Sequence, residues 1–179
     1  MKNIPKILFP LTIAIALSIS SCIKPKEFST TPEIVFKDFI ELRDSALFMF
    51  SFTDGDGDIG LDSNYTYPPF NPPLTYEYPD TNKDVPAGEF YYNFYLDYWE
   101  KQNGVFVKLN LNPPFYYRIP VITPIGQNKT LEGEISIKMN PPYFAPTSDT
   151  VKFTAFLYDR AKHKSNIIET PQFIVKRIE

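Results

Sequence analysis

Between Ala46 and Thr53 the chain alternates with a period of two: Ala46, Phe48, Phe50 and Phe52 form one set, Leu47, Met49, Ser51 and Thr53 the other. Successive side chains of a β-strand point to opposite faces, so this pattern gives one face fit for a core and is incompatible with an amphipathic helix. Val105, Val107, Leu109 and Leu111 repeat it against Phe106, Lys108 and Asn110. The same reading predicts strands over Glu33 to Phe39, Phe90 to Trp99, Tyr116 to Ile122, Leu131 to Met139, Thr150 to Tyr158 and Ile168 to Lys176. Asn103-Gly104 is a two-residue hairpin turn between the third and fourth strands. Prolines cluster between the strands, at Pro113-Pro114 and Pro141-Pro142, where a sheet tolerates them. Some seven to nine strands separated by turn signals predict an all-β antiparallel sandwich. With Cys22 as the lone cysteine, no intramolecular disulfide can form, and stability has to come from packing or from a metal.

The first residues are of another kind. Lys2 and Lys6 give a basic start, Ile7 to Ile19 an apolar run too short to span a bilayer, and Ser20 and Ser21 precede Cys22. Ile19-Ser20-Ser21-Cys22 resembles the bacterial lipobox position by position, which implies cleavage before Cys22 and lipidation of its side chain and new N-terminus. An ordinary signal peptide or an uncleaved anchor is the alternative. Several acyl chains would anchor stably, since each buried methylene contributes about 0.8 kcal/mol and a single chain holds only marginally. The expected organisation is a signal peptide over 1–21, a lipidated tether over 22–32 and one β domain over 33–179. Ile23 does not resemble the aspartate that retains lipoproteins at the inner membrane, so the outer membrane is favoured. Lys24-Pro25-Lys26-Glu27 matches poorly the acidic stretch used for surface export, so the face exposed stays open.

Toward the C-terminus, Phe153 to Tyr158 leads into Asp159-Arg160-Ala161, then Ser165-Asn166, then a last strand. This resembles the final hairpin of bacterial immunoglobulin-like modules. The resemblance implies an immunoglobulin-like or fibronectin-like sandwich, without the disulfide of antibody domains.

The segment richest in chemistry is Asp54-Gly55-Asp56-Gly57-Asp58-Ile59-Gly60-Leu61-Asp62. Acids at alternate positions, with glycines that accept left-handed dihedrals, let a tight backbone wrap a hard cation, and calcium takes six to eight oxygens. Without a cation, carboxylates this close repel one another. Asp54, Asp56, Asp58 and Asp62 resemble positions one, three, five and nine of the calcium loops of EF-hands and integrin-type propellers. Ile59 stands where those loops have glycine, and Tyr65 where an EF-hand has glutamate. The alternative is a solvated acidic turn. In an immunoglobulin-like order the loop between the last two strands shares a pole with this one, so Asp159 is expected to complete the site. Similar Asp-Gly-Asp-Gly-Asp-Ile-Gly strings after a phenylalanine-bearing strand occur in cell-envelope lipoproteins of the Bacteroidota, which the chain resembles from lipobox to tail.

Between this loop and the third strand, Asn64 to Ala87 carries Tyr65, Tyr67, Phe70, Tyr76 and Tyr78 among prolines. Rigid amphipathic rings in a proline-stiffened loop suit a protein or glycan partner. They suit equally a loop folded back over the sandwich. If Phe90, Tyr92, Phe94 and Leu96 face the core, Tyr91, Tyr95 and Trp99 line the opposite face as a candidate partner surface.

A net charge of −3 with no basic run excludes nucleic acid as an expected partner. The chain contains no Gly-x-Ser-x-Gly elbow, His-x-x-x-His pair or phosphate loop, and His163, the lone histidine, sits between Lys162 and Lys164. Two acids alone can run a glycosidase, so a small hydrolase using Asp97 and Glu100 is the alternative. The favoured expectation is a non-catalytic, lipid-anchored envelope module with a calcium-stabilised loop, and a structural spacer in an outer-membrane assembly is a third reading.

Overall fold

The computed structural model describes residues 26–42, 45–72, 88–123, 130–139 and 149–174. The signal peptide, Cys22, Tyr76, Tyr78, Pro141-Pro142 and the chain beyond Ile174 lie outside the described residues. All nine described elements are strands: β1 (Glu33–Glu41), β2 (Ala46–Asp54), β3 (Phe94–Gln102), β4 (Val105–Leu109), β5 (Phe115–Tyr117), β6 (Leu131–Met139), β7 (Thr150–Leu157), β8 (Ile168–Glu169) and β9 (Phe173–Ile174).

The strands form two antiparallel sheets. One has the order β1-β2-β6; the other runs β4-β3-β7-β8, with β5 also on β3 and β9 also on β7. The chain is an antiparallel β-sandwich of a three-stranded and a six-stranded sheet. The inward faces meet in one core: Phe50 stacks on Phe94 with ring centroids 4.9 Å apart and planes 2° from parallel, and Phe39 stacks on Phe153 at 5.2 Å. Burying a phenylalanine side chain contributes about 1.5–3 kcal/mol, so these rings account for much of the drive to fold.

The tail motif has a packing role. Asn166 donates from Nδ2 to the carbonyl of Ile34 and accepts the Ile34 N–H at Oδ1, both at 2.8 Å, so one side chain pairs with β1 as a neighbouring strand would. Ser165 binds Leu157 in the same two-point way, through its own N–H at 2.9 Å and through its Oγ, which accepts the Leu157 N–H at 3.0 Å.

Four strands differ from expectation. The third begins at Phe94, because Tyr91 N–H is tied into a turn by the Gly88 carbonyl and Asn93, whose backbone still pairs with Tyr117 and Tyr158, turns its side chain onto the backbone of Ile119, accepting at 2.6 Å and donating at 3.0 Å. The fifth ends at Tyr117 for the same reason, since the Ile119 amide is spent on Asn93. The fourth stops at Leu109, and although Val105 and Val107 share the inward face with Gln102 and Glu100, they are exposed at the sheet edge. The last strand breaks into β8 and β9 at Thr170-Pro171, where proline has no N–H for the ladder. Asn103 and Gly104, at φ 50° and 85°, make the expected hairpin turn.

Candidate metal site

Asp54 is the last residue of β2 and continues the inward set of Phe48, Phe50 and Phe52, so the alternation that builds the core also drives a carboxylate inward. Its Oδ2 accepts the N–H of Asp58 at 2.9 Å, which curls the loop back on itself. The backbone then passes through Gly57 (φ 68°) and Gly60 (φ 99°), a region costly for other residues. Ile59, fully buried, plugs the core; the turn is made one residue later, with Gly60 flush on the Pro120 carbonyl.

This fold brings a carboxylate oxygen from each of Asp54, Asp56 and Asp58 within 4.8 Å of the others. The Oδ1 atoms of all three are buried and without a hydrogen-bond partner, and Asp54 is 0% exposed. A buried, unpaired carboxylate oxygen is costly unless something positive meets it. Burial pushes the Asp54 carboxyl up to about 6, against the hydrogen bond from Asp58 N–H, and the charges of Asp56 and Asp58 add to the rise. Asp58 is raised by burial first and then by the charge of Asp159.

Asp159 reaches the same pole. Across the loops, Asp58 accepts the Arg160 N–H on its carbonyl at 3.2 Å and the Ala161 N–H on Oδ2 at 3.0 Å. The Asp159 carboxylate itself, 2% exposed, is engaged by His163, whose backbone N–H and Nδ1 lie 2.7 and 2.9 Å from its two oxygens. Asp159 therefore adds negative charge behind the three convergent acids and fixes the turn that binds Asp58. Asp62 does not join them. Its Oδ1 accepts the Asn64 N–H at 2.8 Å, a local turn that uses the side chain where position nine of a calcium loop would face the ion.

Two arginines organise the surroundings, and neither was singled out from sequence for this role. Arg160 donates to the Gly60 carbonyl at 3.2 Å and to Thr123 Oγ1 at 3.0 Å, and Thr123 donates to the Gly57 carbonyl at 2.7 Å, so both left-handed glycines are pinned. Arg118 donates to the carbonyls of Tyr91, Asp62 and Tyr65 and stacks on Tyr91 at 5.1 Å, stapling the start of the long loop to the body. The basic residue directly after Asp159 was the available signal for the first; nothing local in sequence marks the second.

The aromatic residues are placed as follows. Tyr95 lies on the outward face of β3, stacked on Phe156 at 5.0 Å and beside Tyr116 at 4.7 Å, its cross-strand neighbours. Tyr91 precedes the strand and joins this group through Tyr92 and Tyr116. Trp99 belongs to a second group, donating from Nε1 to Thr154 at 3.0 Å, with Lys152 over both its ring and that of Phe106. All three are half-buried rather than free. Within its described part the long loop folds back: Tyr65 meets Phe70, Phe70 meets Phe90, and Phe90 meets Tyr158 edge-on at 5.0 Å.

Asp97 and Glu100 fall on opposite faces of β3. Asp97 points outward and pairs with Lys108 at 2.7 Å, whereas Glu100 is buried inward and accepts from the Tyr98 hydroxyl at 3.0 Å. A three-residue separation along a strand forces this divergence, so the two cannot flank one glycosidic bond.

Comparison with protein-family models, with curated proteins and with solved structures finds no match for this chain. Among the described residues no helix is long and apolar enough to cross a membrane.

Proposed function

We propose that this chain is a lipid-anchored, non-catalytic module of the cell envelope, whose Asp54-Asp56-Asp58 loop binds calcium to stiffen one pole of the sandwich. The observation that carries the metal reading is the set of three buried, unpartnered Oδ1 atoms on converging carboxylates. An all-oxygen, all-anionic donor set suits a hard divalent cation better than a soft one. Each aspartate would give one oxygen, loop carbonyls and water the rest, with Asp159 supplying charge through the turn it holds. Asp62, turned to Asn64, is left outside the first ligand set.

Anchoring rests on the lipobox resemblance, with Cys22 as the lipidated residue and the outer membrane as the favoured address. The Tyr91–Tyr95 group and the separate Trp99 group would meet a protein or glycan partner through the ring edges their neighbours leave open. Two measurements test this reading. Thermal melts in calcium and in chelator should differ, because a ligand held only by the native state adds RT ln(1 + [L]/Kd), about 2.7 kcal/mol at a hundredfold excess over Kd. Cys22→Ala should move the protein from the membrane to the soluble fraction; retention on the membrane contradicts the lipid anchor.

A further inference from the structure

Gly55 sits between Asp54 and Asp56, and its backbone is the surface on which the N-terminal segment 26–32 rests. Its N–H donates to the Ser29 carbonyl at 2.7 Å, and a Cβ placed on it would lie 2.3 Å from the Phe28 carbonyl oxygen and 2.9 Å from that of Ser29. Among the described residues its other polar contacts are few. Lys26 and Glu132 form an ion pair exposed on both sides, which holds weakly, and the Thr31 N–H to Ser29 Oγ bond is internal to the segment. Pro32 is buried where the segment enters β1.

The peptide that receives the strap is thus flanked by two of the three carboxylates that must converge on a cation. Like charges within 4.8 Å of one another repel when nothing neutralises them, and a loop that opened in response would carry the Gly55 N–H away from Ser29. We propose that cation occupancy latches residues 26–32 onto the sandwich, so that the ion sets how much free chain separates the domain from its N-terminal anchor. This rests on the calcium reading above. Releasing the strap back to Pro32 adds about six residues of chain, on the order of 20 Å of reach.

Hydrogen exchange and limited trypsin digestion of the full chain in detergent micelles, with calcium ion alone as probe, test the latch. Lys26-Glu27 is cleavable within the strap, whereas Lys24 is protected by Pro25. Calcium should slow exchange of the Gly55 amide and cleavage after Lys26 at least tenfold more than it slows exchange of the Phe50 amide in the core ladder. Asp56→Asn should abolish that difference. Coupling is reciprocal, so Gly55→Ala, which drives a methyl into the strap, should weaken calcium binding several-fold by titration calorimetry. Calcium binding with no selective protection of the strap, or with unchanged affinity in a Gly55→Ala protein whose strap is freely cut, overturns the latch and leaves the site standing. No heat of calcium binding overturns both.

Discussion

One face of strand β2 serves two regions that solve opposite problems. At Phe48 and Phe50 the inward rings meet Phe94 of the facing sheet, Phe52 joins the same apolar core, and the contact is complete without help. At Asp54, where the same alternation runs to the strand's end, the inward side chain meets two more carboxylates and keeps an oxygen with no partner. The backbone geometry is continuous between them; only the side chain changes. A period of two that makes a core in mid-sheet makes, at a sheet's end, a place where charge is held out of water and has to be answered.

This contrast can be broken by mutation. The largest effect belongs to the core: Phe50→Ala should cost about 3–5 kcal/mol, the same in calcium and in chelator, measured by denaturant melts. A calcium-dependent cost would mean the two regions are not separable. Asp54→Asn should behave the other way. In excess calcium it should lose roughly 2–3 kcal/mol, the cation's whole contribution, which for a domain of this size is on the order of 5–10 °C in Tm. In chelator at neutral pH it should equal or exceed the parent, because it removes a buried charge from a repelling group. Loss of stability in both conditions would make Asp54 a structural hydrogen-bond acceptor and no more.

The pH dependence sharpens the same point. Burial raises the Asp54 carboxyl from 3.8 to about 6, so in chelator the folded state holds the proton more tightly than the unfolded chain. Its contribution is full below about pH 4 and is lost as pH rises through about 6, with a slope of at most about 1.4 kcal/mol per pH unit. Asp54→Asn should flatten this slope, and calcium binding to the parent should weaken as pH falls through the same window. The smallest effect is at Asp62, whose carboxylate is spent on Asn64. Asp62→Asn should change stability by less than about 0.5 kcal/mol and leave calcium affinity within twofold by titration calorimetry. A tenfold loss would return Asp62 to the ligand set.

The sandwich was legible because strand periodicity is local: β1, β2, β6 and β7 each carry their alternation in consecutive residues, and their bounds agree with expectation to within two residues. The third and fifth strands differ because a side chain acts as backbone there, whereas the fourth stops at an exposed sheet edge and the last is broken at Pro171. Asn93 caps both the third and fifth strands by bonding Ile119, and sequence alone does not reveal that an asparagine will pair with a residue far along the chain. Of the site, Asp54, Asp56 and Asp58 were legible as a spaced acidic run. Asp159 was placed at the right pole by strand order, but its occupation by His163 and the exclusion of Asp62 depend on hydrogen bonds that spacing does not encode. Arg160 and Thr123, which hold the loop's glycines, stand far from it in sequence; the place of Arg160 after Asp159 was a signal, whereas Thr123 carries no motif of its own.

The central claim is that the polar end of β2 is built around a cation, and diffraction from crystals grown in calcium tests it most directly. The account predicts one calcium peak, confirmed by its anomalous signal, about 2.3–2.6 Å from an oxygen of each of Asp54, Asp56 and Asp58. A water molecule or a protein hydrogen-bond donor at that point, with the three carboxylates in the same convergent arrangement and saturating calcium in the crystal, would contradict it.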